Sequence, residues 1–449
     1  MNLTTPMFST PAMCEVFSDQ AQLQAMLDVE AALARAEALH AVIPDSAVAD
    51  IEACCNPSQI DFSALAKDAT GAGNLAIPLV KQLTAAVARI NPEAAKFVHW
   101  GATSQDIIDS GVMLQLQAAL PLLREDLQLL ADALAALATD YKTTPMIGRT
   151  WMQHALPVSF GLKAAGWLDA ILRHQDRLEA LPQTLCLQFG GAAGTLASLG
   201  EQGLLVATSL AKDLQLSLPD LPWHGHRDQI ADFASTLGLL VGTLGKIARD
   251  ISLMTQTEVA EVAEPAAAGR GGSSTMPHKR NPVGCAVALS AAVRVPQLVA
   301  TIQAGMVQEH ERALGGWQAE WEALPQIVML CAGSLAQMRA VAAGLSVDTE
   351  RMRANLDATR GQIMAEAVTL ALGARLGRLE AHHLVEQACR RVNETGRHLR
   401  ETLADAPQIS TLLSAAEIDA LLDPANYTGQ AAAFVERVLA RYAQSKTAH

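Results

Sequence analysis

Apolar residues recur along this chain in long stripes. Met113, Leu116, Leu120, Leu123, Leu127, Leu130, Leu134, Leu137 and Tyr141 alternate steps of three and four. Such a heptad stripe predicts roughly 40 Å of helix at 1.5 Å per residue. Pro121 sits inside it and predicts a kink. A second stripe runs Ile230, Phe233, Leu237, Leu240, Leu244, Ile247, Ile251 and Met254. Two more apolar helices are expected at about 157–181 and 283–313. Helices this long cover such stripes only against one another, so a long-helix bundle is expected. The flanks carry too few charges at e and g for a free two-stranded coiled coil.

Shorter elements flank the bundle. Ser18-Asp19 can cap a helix running to about His40, with Leu23, Met26, Leu27, Ala31 and Ala34 on its apolar side. Pro44-Asp45-Ser46 restarts the chain, and Asn56-Pro57 breaks it again. A loop is expected at Thr70–Pro78, TGAGNLAIP. Asp348-Thr349 is a plausible cap, after which Gly361, Gly373, Gly377, Pro407 and Pro424 punctuate shorter helices. The expected fold is mainly α, with three helical domains at 1–110, 111–355 and 356–449. The central long-helix bundle is expected to assemble into a multi-chain helical core.

Composition narrows the partners. Half of the 449 residues are apolar and only 4% are aromatic, which favours packed helices over sheets. A net charge of −13 argues against nucleic acid and against a membrane surface, since both need basic patches. The seven cysteines are scattered without metal-ligand spacing, so no metal is expected and reduced thiols are the default. The N-terminus has neither the basic nor the apolar region of a signal peptide, and no stretch reads as a membrane span. A cytoplasmic location is expected.

The chemistry concentrates at 269–282, GRGGSSTMPHKRNP. The glycines let the backbone approach a ligand closely. Ser273 can move a proton, and Lys279 can stabilise developing charge as the loop seals out water. Gly272-Ser273, Met276, Lys279 and Asn281 fit the pattern G-S-x-x-M-x-x-K-x-N. In this the chain resembles the fumarase/aspartase/argininosuccinate lyase superfamily.

Other stretches extend the resemblance over essentially the whole chain. HWGATSQD at 99–106 is similar to that superfamily's first conserved region. His99 there is a possible cation, and Thr103 and Ser104 offer hydroxyls at the start of a long helix. They either cap it or bind a substrate carboxylate, and the second reading is favoured. GRTWMQHALPVSFG at 148–161 resembles the second region, with Arg149, Thr150 and Gln153 matching. Trp151 stands where the family has a histidine and is expected to bind substrate as an apolar wall that shapes it. His154, three residues on, is expected to be structural rather than catalytic. WHGHRDQIADFA at 223–234 resembles a further region, and its His-x-His is read as a pocket wall, not a metal site. In HERALGGWQAEWEALP at 310–325, Arg312 is retained. Trp317 and Trp321 replace the serine and arginine that hold a nucleotide phosphate in adenylosuccinate lyases, which disfavours such a substrate.

The resemblance implies removal or addition of a proton next to a carboxylate through an aci-carboxylate intermediate, without a cofactor. Ser273 would transfer the proton, with Lys279 and Asn281 stabilising the intermediate. A leaving or attacking group that is itself a carboxylate needs no general acid, which accommodates Trp151. The pattern thus resembles the lactonising, cycloisomerase branch, acting on a small polycarboxylate held by Lys279, Arg312 and Arg149. The family also implies a homotetramer with shared active sites. An amine-releasing lyase and a non-enzymatic protein on the same fold are the alternatives.

Overall fold

A computed structural model describes residues 3–266, 271–272, 275–276 and 278–447. The helical reading holds. Among these residues the long helices are α1 (Asp19–Leu39), α2 (Ser104–Asp140), α3 (Phe160–Ala180), α4 (Asp228–Met254), α5 (Val283–Ala304) and α6 (Gly316–Ala343). Both heptad stripes are buried: from Met113 to Leu137 no stripe residue is more than 8% exposed, and from Ile230 to Met254 none exceeds 4%. Pro121 lies inside α2, which continues through it.

Local capping follows the side-chain chemistry. Ser18 accepts a hydrogen bond from the Ala21 N–H at the start of α1. Asp348 does the same for Arg351 at the head of Thr349–Leu356. Each satisfies one of the amides that a helix N-terminus leaves without a partner.

Four features depart from the sequence reading. The expected loop at 70–78 shrinks to three residues, because one helix runs to Ala72, closes on left-handed Gly73, and the next starts at Ala76. The helix expected to reach 313 ends at Ala304. There Gly305 and Gly316 approach closely: a Cβ on Gly305 would sit 3.1 Å from the Gly316 carbonyl oxygen. A hairpin, β1 (Pro145–Thr150) and β2 (Gln153–Ser159), was not foreseen. And α4, α5 and α6 are each long and apolar enough to cross a membrane by length and composition, contrary to the expectation. The apolar windows of α4 and α6 are 56% and 61% buried within the chain, and that of α5 only 33%.

By their internal contacts the residues form two units. One comprises Met1–Asp126, His174–Leu244 and Val287–Ala336; the other comprises Leu127–Arg173, Gly245–Ala286 and Gln337–His449. In the second unit the short strands β3 (Val262–Ala263) and β4 (Ser346–Val347) pair antiparallel. Its C-terminal helices, among them α7 (Ala365–Leu376) and α8 (Arg378–Thr395), enclose a core of Val368, Leu372, Leu384, Leu399, Leu403 and Ile409.

Candidate active site

In the first unit the site is built on Asp106, in the first turn of α2 and fully buried. Its carboxylate accepts the N–H groups of Thr103 (3.0 Å), Gly190 (3.1 Å) and Gly191 (2.9 Å), and pairs with His224 Nε2 at 2.7 Å. One side chain thus caps the helix and ties it to the Gly190–Gly191 turn. Arg312 closes the same junction. Its guanidinium donates to Thr103 Oγ1 at 2.9 Å and to the carbonyls of Gly191 (3.2 Å) and Ala192 (3.0 Å). Ser104 opens the helix beside Thr103. His99, at a left-handed φ of 58°, has Nδ1 2.6 Å from Glu30 Oε1.

Beneath this junction lies a buried charge network. Arg227 is bidentate to Asp109 (2.7 and 3.0 Å) and to Glu320 (3.0 and 2.6 Å). Asp109 also accepts from the Trp317 indole at 2.9 Å and from the Gln105 and Gln188 amides. Burial opposes ionisation of Asp109, but the Arg227 cation and these donors hold its carboxyl below the usual range. Trp317, which stands where adenylosuccinate lyases hold a phosphate, is a buried donor to Asp109. One sequence reading changes here: Arg227 and His224, expected in a pocket wall, serve internal pairs, since a buried cation or carboxylate is tolerated only when paired.

In the second unit the GRTWMQ motif forms the hairpin tip. Thr150 pairs with Gln153, leaving Trp151 and Met152 as the two-residue turn at φ 51° and 63°. Such a turn needs two left-handed residues and favours Asn-Gly, because a Cβ is strained there. A tryptophan and a methionine occupy it instead, 97% and 75% exposed. Arg149, on β1, is bidentate to the fully buried Glu261 at 2.9 and 2.7 Å, and Asn355 donates to the same carboxylate at 2.9 Å. His154, opposite Arg149, has a buried Nδ1 without a hydrogen-bond partner among the described residues. Burial, with the Arg149 charge nearby, pushes the His154 imidazole below its ordinary value.

The glycine loop also belongs to this unit. Asn281 N–H donates to Gly271 O at 2.8 Å, and Gly272 bridges Arg280. Gly271 takes φ 66°, and a Cβ there would lie 2.6 Å from Asn281 O, so only glycine fits. Glu264 caps α5 by accepting the N–H groups of Gly284 (3.0 Å) and Cys285 (2.8 Å). Lys279, Arg280, Asn281, Gly271 and Glu264 line a cavity of about 260 Å³. Ser273 lies outside the described residues.

The structure therefore brings His99, Thr103, Ser104 and Arg312 into one unit. It places Arg149, Thr150, Trp151, Gln153, Lys279 and Asn281 in the other. Residues the sequence reading passed over are Glu30, Asp106, Asp109, Glu261 and Arg280. Glu30 had a signal: it falls on the apolar stripe of α1, where a charge is out of place without a partner.

The fold and these motifs define a class, and the chain belongs to the lyase family. Residues 7–297 match that family, and residues 361–438 match the adenylosuccinate lyase C-terminus family. A Pseudomonas aeruginosa protein named 3-carboxy-cis,cis-muconate cycloisomerase is 57% identical over 97% of this chain and 95% of its own. A Bradyrhizobium diazoefficiens protein of the same name is 55% identical over 97% of both. The crystal structure of 3-carboxy-cis,cis-muconate lactonizing enzyme from Pseudomonas putida superposes with a TM-score of 0.95. It is 53% identical and covers 98% of this chain and 99% of its own.

Proposed function

We propose that this chain closes 3-carboxy-cis,cis-muconate to a carboxymuconolactone, an intramolecular addition in the breakdown of aromatic acids. A carboxylate oxygen of the substrate adds to one carbon of a double bond, and the electron pair moves into the neighbouring carboxylate as an aci-carboxylate. A proton then goes to the carbon between them. Ser273 delivers that proton, while Lys279 and Asn281 stabilise the dianionic intermediate from the cavity they line. Thr150, Gln153, His99, Thr103, Ser104 and Arg312 bind the carboxylates, joined by Arg149 through the 26% of its side chain that its pair with Glu261 leaves exposed. No cofactor takes part. Holding both reacting groups in one molecule supplies the proximity that a two-substrate lyase must assemble.

The observation that carries this reading is the GRTWMQ hairpin. Its tip offers an indole where an amine-releasing lyase needs an acid, and the nearby His154 is held toward its neutral form. A carboxylate nucleophile has no proton to exchange above about pH 4. The names carried by the relatives support the same substrate.

Active sites shared within a homotetramer are part of the proposal. The two units of one chain each hold part of the residue set, and apolar side chains such as Val293 and Leu239 stand 73% and 57% exposed. A cytoplasmic location and the domain division at 110/111 and 355/356 complete it, the latter supported by the C-terminal family match beginning at 361. Ultraviolet assays with 3-carboxymuconate, adenylosuccinate, argininosuccinate and fumarate test the substrate. Turnover of 3-carboxymuconate alone is expected. Turnover of an amine-releasing substrate, or of none, would replace the reading by a lyase or by a non-enzymatic role. A fully active monomer in sedimentation at assay concentration would remove the shared site.

A further inference from the structure

We propose that Glu30 is a positioning residue that holds His99 as a cation for a substrate carboxylate. The inference rests on the reading of the first conserved region as a carboxylate site.

Glu30 sits in the middle of α1 with its side chain 1% exposed, and His99 keeps 18% of its own exposed. The contact is short, 2.6 Å between Glu30 Oε1 and His99 Nδ1. An imidazole that spends Nδ1–H on a buried carboxylate has only Nε2 to offer a ligand, in a fixed orientation. The same carboxylate favours the charged ring. Burial works against the cation, but Glu30, and Asp106 more weakly, hold His99 above its ordinary value.

Glu30 is the carboxyl on α1 that reaches His99. Glu37 lies seven residues along the same buried face of α1, 1% exposed, and neither of its carboxyl oxygens has a partner among the described residues. Burial and the Glu30 charge push the Glu37 carboxyl up to about 9, so it is neutral at pH 7. The thiol of Cys55, also near Glu30, is pushed up by burial as well and stays protonated. Glu30 therefore faces His99 from α1, and Asp106 faces it from α2. Asp106 is already committed to three backbone amides and His224.

The test is an NMR titration of the enzyme labelled with carbon-13 in histidine, with His99→Gln assigning the resonance. In the wild type His99 is expected to titrate above 6.5. Propane-1,2,3-tricarboxylate, a non-reacting probe, should shift its resonance. Glu30→Gln should lower His99's pKa, and each unit of fall cuts the charged fraction at alkaline pH about tenfold. The KM for 3-carboxymuconate should then rise far more than kcat falls, and the alkaline limb of kcat/KM should move to lower pH. Glu30→Asp, which restores the charge, should recover part of the shift, and Glu37→Gln should leave His99's titration in place. A wild-type His99 titrating at or below 6.5 overturns the proposal without any variant, as does an alkaline limb that Glu30→Gln does not move. A shifted titration with no effect of the tricarboxylate would keep Glu30's action on the ring but remove its role in binding. If the wild type does not turn over 3-carboxymuconate, the substrate reading fails while the titration still judges Glu30.

Discussion

The buried junction around Asp106 and Arg227 and the exposed hairpin tip at Trp151–Met152 carry neighbouring motifs of one family, yet their physics is opposite. At the junction the buried carboxylates are matched: Asp109 accepts from Arg227, Trp317, Gln105 and Gln188, and Asp106 from three amides and a histidine. At the hairpin two bulky residues hold left-handed backbone and project into solvent. The first arrangement is costly to disturb and fixes geometry. The second strains the chain by about 1 kcal/mol or more per residue and gains nothing within its own unit. Strain without an internal return points to a functional use of the tip, and the matched network to a scaffold. Substitutions in the two regions should therefore divide into losses of activity and losses of stability.

The largest losses are expected at the glycine loop. Ser273→Ala should lower kcat by about 10²–10⁴-fold, and Lys279→Ala by about 10²–10³-fold with a raised KM, both with an unchanged circular dichroism spectrum. Near-normal kcat for Ser273→Ala beside an inactive Ser274→Ala would transfer the proton-transfer role to the second serine.

Next is the scaffold. Arg227→Met strands Asp109 and Glu320 in the interior and should cost about 3–5 kcal/mol in urea unfolding. A loss under 1 kcal/mol would mean that water reaches this network.

At the hairpin, Trp151→Ala should lose several-fold more activity than Trp151→Phe, with the melting temperature of each close to that of the wild type. Trp151→His should not raise lactonising activity. If it did, a general acid would be useful here after all.

Glu37 offers a smaller effect with a definite sign. Its carboxyl is neutral in the fold up to about pH 9 but ionises near 4.3 in the unfolded chain. Between those values unfolding releases a proton, so Glu37 takes away stability progressively as pH rises. Glu37→Gln should therefore raise the melting temperature more at pH 8 than at pH 5. An equal gain at both would mean that Glu37 is ionised in the fold. Smallest of all, His154→Asn should leave kcat within a few-fold. A fall of about 10²-fold would make it the general acid and remove the argument built on Trp151.

Much of this was legible in the residues. The helices α2 and α4 were written in the stripes from Met113 to Tyr141 and from Ile230 to Met254, because burial along a helix repeats every three or four positions. The caps at Ser18 and Asp348 were equally local. The loop motif from Gly272 to Asn281 carried the resemblance to the lyase family through residue types at fixed spacing. The hairpin was not legible: Trp-Met is a poor turn sequence, and nothing local marks it as two left-handed residues. Nor was the end of α5, which depends on the approach of Gly305 to Gly316.

The amino-acid order alone thus determined the helices, their apolar faces and the family's chemical vocabulary, since each depends on neighbours within a turn or two. Only the tertiary structure decided what each charge does. Arg227 meets Asp109 across 118 residues, Arg149 meets Glu261 across 112, and His99 meets Glu30 across 69. A guanidinium or an imidazole reads the same in sequence whether it faces substrate or an internal carboxylate. Burial makes an unpaired charge costly, and where that cost is met depends on how distant segments pack.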